Sequence, residues 1–369
     1  MSVIVVAPDS FKGSASAAQI AAAVAAGWAT ERPGDRIVPA PMADGGEGTL
    51  DAFAQAVPGA RRHPVRVTGP DGRPVDATWL LLPDGTAVVE LAETSGLGRM
   101  TALRPFEAQT TGFGEAIAAA LAAGATSLLL AIGGSASTDG GAGALAALGA
   151  RFRDAAGGDI RPGNRGLAEL ATVDLSGLAP LPAGGARILG DVTNPLLGPH
   201  GAAAVFGPQK GSGPEDVPLL DAALRRYAEA LTAAVGPGAP SADAPGAGAA
   251  GGTGFGLLVW GARMAPGAAA VGEAIGLPAN VGAADTVITG EGRFDEQTAG
   301  GKVAAYVSAL ARQARVPALL VAGSIDAAPD GFADSVALTG LAGGPESSLA
   351  DPLRWGREAG ATLARRFAG

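Results

Sequence analysis

Short apolar runs that open into glycine- and serine-rich loops recur along this chain. Val3–Ala7 is a continuous apolar run with β-branched residues, the pattern of a strand buried on both faces. The polar loop Pro8–Ser14 follows. The alanine-rich stretch Ala17–Ala29 is then predicted as a helix, with Ser14 or Ser16 as its cap. The same order returns three times. Ser127–Ile132 passes through Gly133–Gly141 into Ala142–Leu148. Thr286–Thr289 passes through Gly290–Gly301 into Val303–Arg312, and Ala318–Val321 runs into Gly323-Ser324. Such alternation predicts an α/β fold with parallel sheets, whose ligand crevices lie beyond the carboxyl ends of the strands. Between about 63 and 95 the pattern changes. Pro64–Gly69, Ala77–Leu82 and Ala87–Leu91 are short extended runs separated by Asp71-Gly72 and Asp84-Gly85, so antiparallel structure and a second domain are expected from near residue 65. Residues 236–254, rich in Gly, Pro and Ala with Asp243 the only charge, read by composition as a linker or loop.

Length supports this division, since 369 residues exceed one typical core. With 47% hydrophobic and 17% charged residues the chain is globular, and 4% aromatics implies a core of Ala, Val and Leu. The net charge of −9 argues against general nucleic-acid binding, which needs a basic face. The absence of cysteine excludes disulfides and thiolate metal sites. The apolar run at the N-terminus is too short for a signal peptide and has no basic region before it. Residues 116–138 carry no charge, but glycines and hydroxyl residues interrupt them. Helix, turn, strand and loop fit better than a membrane span. A cytoplasmic location, with no membrane partner, is the expectation.

The chemistry concentrates in five polar segments punctuated by glycine. They are Ala7–Ser14, Pro41–Thr49, Gly133–Gly141, Asp191–Pro195 continuing to Phe206–Gly211, and Thr289–Asp295. Only three residues are lysine (Lys12, Lys210 and Lys302), and each adjoins a glycine. A compact ammonium beside a flexible backbone suits a phosphate oxygen. Carboxylates in loops suit Mg²⁺, and Gly/Ser/Thr loops opening a helix offer N–H groups to an anion. Together these are the requirements of phosphoryl transfer, which rests on positioning and electrostatics. Each segment taken singly could be an ordinary turn.

Other templates fit less well. Gly301-Lys302 is followed by Val303, so no P-loop is present. Gly141–Ala146 and Gly252–Gly256 meet only a loose dinucleotide pattern. His63 and His200 are too isolated for a zinc site; His63 reads as a solvated strand-end residue.

Taken in order, the strings Ala-Pro-Asp-Ser-Phe-Lys-Gly-Ser, Pro-Met-Ala-Asp-Gly-Gly-Glu-Gly-Thr, Asp-Val-Thr-Asn-Pro-Leu, Phe-Gly-Pro-Gln-Lys-Gly and Val-Ile-Thr-Gly-Glu-Gly-Arg resemble the class I glycerate kinases of bacteria along essentially the whole chain. Gly246–Gly252 fits as well, which makes that stretch an ordered motif. Two positions depart: Thr138 stands where the family usually has Asn, and Gly190 where it often has Cys. The resemblance implies ATP-dependent phosphorylation of D-glycerate with Mg²⁺. It also implies two α/β domains with the active site in the cleft between them. One is a discontinuous Rossmann- or flavodoxin-like domain (1–64 plus 284–369), and the other an inserted mixed α/β domain (65–283).

On this reading Asp191 is the expected base, because it opens the most polar loop after the short apolar strand Ala186–Leu189. Asp44 and Glu47 are the next candidates and could instead hold Mg²⁺. Lys12, Lys210 and Arg293 are candidates for phosphate and carboxylate, with Arg293 assigned to the carboxylate by its planar fork. Asp9, Glu291 and Asp295 could ligate metal or fix these basic groups. Ser10, Gly45, Gly46, Ser135, Asp139, Thr193, Asn194, Gly290 and Gly292 complete the substrate- and phosphate-binding set. Two other readings stay open at this level: a regulatory α/β protein that binds a small acid without chemistry, and a nucleotide-dependent dehydrogenase built on Gly141–Ala146. The hydroxyl phosphorylated and the oligomeric state, a homodimer included, are open as well.

Overall fold

The structure, a computed structural model, describes residues 1–11, 13–295 and 303–367. The chain divides into two compact units, Met1–Asp44 with Asp51–Pro58 and Pro266–Gly369, and Gly45–Leu50 with Gly59–Ala265.

The first unit opens with β1 (Val3–Pro8) and β2 (Arg36–Pro39). The chain then supplies the second unit's strands: β3 (Arg61–Thr68), β4 (Pro74–Leu81), β5 (Thr86–Glu90), β6 (Ser127–Ala131), β7 (Arg151–Arg153), β8 (Thr172–Asp174), β9 (Ala186–Leu189) and β10 (Arg263–Ala265). It returns to the first unit with β11 (Thr286–Phe294), β12 (Ala318–Ile325) and β13 (Asp334–Ala337).

The first unit's sheet is parallel, in the order β13-β12-β11-β1-β2. Numbered within the unit, that is the doubly wound order 2-1-3-4-5, whose switch point lies between β1 and β11. Alternate residues face opposite sides, and both sides are covered. Ile4, Val6, Leu319 and Val321 pack with Ile20 and Trp28 of the helix Ala17–Glu31, whereas Leu320 and Ala322 pack with Ala304 of the helix Val303–Ala314. Ser16 starts the first of these helices with a capping box. Its Oγ accepts from the Gln19 N–H at 3.2 Å, and the Gln19 side chain accepts from the Ser16 N–H at 2.9 Å. That helix lies directly against Pro352–Arg366, and glycine sets the spacing. A Cβ at Gly360 would sit 2.1 Å from the Val24 carbonyl oxygen.

The second unit's main sheet is mixed, in the order β10-β9-β6-β5-β4-β3. β3, β4 and β5 form the expected antiparallel meander, with Gly72 and Gly85 at positive φ in its turns. β5, β6, β9 and β10 run parallel. Among the described residues β7 and β8 pair separately. The uncharged stretch 116–138 becomes the helix Thr111–Ala122, then β6 and a loop, and no described helix is long and apolar enough to cross a membrane.

Two expectations change, and for residues 246–252 the ordered reading holds over the compositional one. Gly290–Phe294, expected as loop, continues β11, pairing with β12 as far as Phe294↔Ile325. The glycines here are not breakers. A Cβ at Gly290 would lie 2.1 Å from the Val321 carbonyl oxygen, and one at Gly323 2.2 Å from that of Gly292, so their absence lets the strands close. His63 is half-buried within β3, stacked on Trp79 at 4.3 Å between ring centroids. Residues 246–252 are anchored and not a linker: Ala247 and Ala249 are buried, and the Gly248 N–H donates to the Asn194 carbonyl at 2.9 Å.

Overpacking the helix pair of the first unit tests this arrangement. Gly360→Val should lower the unfolding free energy by about 1–3 kcal/mol, read from urea denaturation, because the Val24 backbone cannot rotate away as a side chain could.

Candidate active site

The predicted residues fall into two groups, each at the carboxyl ends of parallel strands. In the first unit they flank the switch point. Asp9 and Ser10 follow β1, and Gly290, Glu291, Gly292 and Arg293 lie in the last part of β11. Asp9, Ser10, Ser14, Glu291, Arg293 and Asp295 line one cavity of about 350 Å³. The backbone fixes Asp9, since its N–H donates to the Gly290 carbonyl at 2.8 Å and its carboxylate accepts from the Ser10 N–H at 2.6 Å. Arg293 is 67% exposed, with Nε 2.6 Å from Asp326 and 3.7 Å from Asp295. Solvent screens such a pair, so each of these contacts contributes little to stability. Asp326 was not among the predicted residues; it follows directly on β12, as Asp9 follows β1. Lys12 and Lys302 lie outside the described residues.

In the second unit the loops after β5, β6 and β9 meet the segment Gly45–Leu50. The Gly133 N–H donates to the Gly45 carbonyl at 3.1 Å. A Cβ at Gly133 would lie 2.5 Å from Gly46 Cα, and one at Gly45 2.5 Å from the Leu189 carbonyl oxygen. Glu90, the buried last residue of β5, accepts from the Gly48 N–H at 3.1 Å and the Leu50 N–H at 2.9 Å. Sequence reading missed Glu90, although a charge at the carboxyl end of an apolar run is a signal close to the one that singled out Asp191. Glu47 is exposed on this segment, while Asp44, half-buried, belongs to the first unit.

Asp191 opens the loop after β9 and is half-buried, and Thr193 is exposed. Asn194 ties its own loop together, its amide donating to the His200 carbonyl at 2.8 Å. Asp139 is fully buried and engaged by the protein. One carboxylate oxygen accepts from the Thr110 N–H and hydroxyl at 2.9 and 2.8 Å and from the Gly143 N–H at 3.3 Å; the other accepts from the Gly141 N–H at 3.1 Å. It thus anchors the start of the helix Ala142–Ala147 to Thr110. The loose dinucleotide pattern at Gly141–Ala146 opens only this six-residue helix.

Lys210 departs most from expectation. It is a candidate for phosphate or carboxylate by sequence, yet it is 1% exposed. Its ammonium donates to the Ser135 hydroxyl at 2.8 Å and to the Ser137 carbonyl. Burial lowers its pKa from 10.5 to about 7, against an opposing pull from Asp139.

Among the described residues no three His, Cys, Asp or Glu side chains converge as a metal site. Glu291 and Asp295 nevertheless share a cavity and supply hard oxygen donors. That suits a Mg²⁺ held by one or two carboxylates with phosphate and water completing its shell.

Two α/β units, each with acid-, hydroxyl- and glycine-rich loops at the carboxyl ends of its parallel strands, define a class of protein that handles small anionic ligands. The glycerate kinase family model matches residues 4–365, and the chain belongs to that family. It is 43% identical over 327 residues to the glycerate 2-kinase of Escherichia coli K12, covering 87% of this chain and 85% of the relative. It is 44% identical over 327 residues to the glycerate kinase of Bacillus subtilis 168, covering 87% and 85%. A solved structure from Salmonella typhimurium LT2, provisionally named glycerate kinase 2, aligns with a TM-score of 0.85 at 41% identity, covering 99% of this chain and 98% of that one. Membership of a kinase family decides against the sensor and dehydrogenase readings.

Two measurements test the second unit's buried charges. Glu90→Gln presents an NH₂ to one of two backbone donors, and should cost about 1–3 kcal/mol in urea denaturation. For Lys210 the unfolded chain binds the proton more tightly than the folded one between pH 7 and 10.5. Wild-type stability relative to Lys210→Met should therefore rise with pH across that window, by at most about 1.4 kcal/mol per pH unit.

Proposed function

We propose that the protein transfers the γ-phosphoryl group of ATP to the 2-hydroxyl of D-glycerate, giving 2-phosphoglycerate, with Mg²⁺ as cofactor. The observation that carries this reading is the gathering of the family's strings at strand carboxyl ends in both units. The name of the Escherichia coli relative supports the 2-hydroxyl.

In this reading Asp191 accepts the hydroxyl proton as the substrate oxygen attacks the γ-phosphorus and the bond to the β,γ-bridging oxygen breaks, leaving ADP. Asp44 is the alternative base. Arg293 takes the glycerate carboxylate, exchanging its exposed contact with Asp326 for a bidentate one. The backbone around Ser10, Gly290 and Gly292 at the switch point meets phosphate oxygens, and Lys12 is assigned to phosphate from its sequence string alone. Gly45, Gly46, Thr193 and Asn194 shape the acceptor side. Glu291 and Asp295 would hold Mg²⁺ in the first unit; Glu47, exposed on the second, is the other metal candidate. Bound there, the ion would offset negative charge on the β- and γ-phosphates. Asp139 contributes by fixing the loop after β6.

Protein mixed with ATP, Mg²⁺ and D-glycerate should release ADP, and phosphorus NMR should show the 2-phosphate. A 3-phosphate would overturn the regiochemistry and leave the kinase. Asp191→Asn should lower kcat by roughly 10²–10⁴-fold. Near-wild-type turnover would move the base elsewhere, with Asp44→Asn the next variant to assay.

A further inference from the structure

We infer that Lys210 is a positioning residue: it holds the loop after β6 in its working shape from beneath, through Ser135 and the Ser137 carbonyl, and does not itself touch substrate. The inference rests on the reading of that loop as part of the kinase site.

Three observations carry it. First, the ammonium is sealed in. A Cβ at Gly251 would stand 2.7 Å from Nζ and 2.0 Å from the Ser137 carbonyl oxygen, so the turn at 250–252 is pressed onto both groups. Second, the two acceptors flank Ala136, whose N–H donates to the Ser95 carbonyl at 3.1 Å, so lysine and Ser95 together fix three successive residues of the loop. Third, the loop is poorly optimised for packing. The hydroxyls of Ser137 and Thr138, both fully buried, find no hydrogen-bond partner among the described residues. A buried orphan of this kind costs about 1–3 kcal/mol. A loop kept only to fill space would carry alanine or valine at these positions.

A buried lysine is also an expensive way to join two oxygens, since neutral donors would serve. Its charge gives what they cannot: stronger, charge-assisted bonds and a fixed positive potential beneath a Gly/Ser loop. The charged group acting on it is Asp139, on the same loop. Ser135, Ser137 and Gly251 bring no titratable side chain. Tyr227, also under the influence of Asp139, has its phenol pKa raised well above 10.0 by burial. Loss of the Lys210 proton therefore weakens the hold on the loop without any other group at this contact changing charge.

Steady-state kinetics of the full-length enzyme with ATP, Mg²⁺ and D-glycerate test this. Ser135→Ala and Lys210→Met should each lower kcat, the latter by about 100-fold as a misplaced loop would, with KM for both substrates nearly unchanged. The double variant should be no worse than Lys210→Met. Wild-type kcat should show a falling limb near neutrality that Lys210→Met lacks. A raised KM with kcat retained in Lys210→Met would mean direct contact with substrate and would overturn the inference, as would a neutral Ser135→Ala. Should Lys210→Met not fold, the wild-type pH profile still decides, because a kcat flat from pH 6 to 9 also overturns it. Absence of glycerate phosphorylation by the wild type would instead remove the underlying reading of the site.

Discussion

Backbone meeting backbone without an intervening Cβ is the constraint on which the loops of this protein depend. Gly133 against Gly46 and Gly45 against Leu189 bring the Gly45–Leu50 segment onto the ends of β6 and β9. Gly290 and Gly323 do the same for β11 and β12, extending a paired ladder through residues that carry chemistry. Any larger residue would separate these surfaces by more than a hydrogen bond spans. Many of the described glycines are therefore not loose joints but contact points.

Such closely packed loops leave little water to solvate charge, and the second unit's buried ionic groups are all bound by other means. Glu90 and Asp139 take backbone N–H donors, and Lys210 takes a hydroxyl and a carbonyl. Each spans a long sequence separation or holds the start of a helix, so a few side chains fix loops that hydrophobic packing alone would leave free. The first unit is built differently. Asp9 and Glu291 are buried at its cavity, while Arg293 pairs with Asp295 and Asp326 near solvent, where attraction is weak. Fixed charges beneath rigid loops and solvent-screened charges beside a cavity are complementary provisions for binding anions.

Much of this was legible beforehand because it depends on local pattern. The apolar run at Val3, the Ser16 cap, the Asp-Gly turns of the meander and the strand–loop–helix rhythm follow from side-chain periodicity and turn chemistry, which neighbours in sequence decide. Asp191 stood out because it opens the most polar loop after an apolar strand. Glu90 ends the apolar strand β5, but nothing near it in sequence shows that it binds Gly48 and Leu50, some forty residues earlier.

The sequence by itself determined the α/β class, the meander near residue 65, and the family through its ordered strings. Only the tertiary structure decided what the charged residues face. Lys210 reads as an exposed phosphate ligand until the loop after β6 and the turn at Gly251 close over it. Asp139 reads as a site acid until Thr110 and the next helix take its oxygens. Glycine at 290 and 292 reads as loop until β12 pairs alongside. Local pattern sets backbone conformation through short-range sterics, but burial and hydrogen-bond partners come from segments distant in sequence. Those partners decide whether a charge meets a ligand or holds the fold.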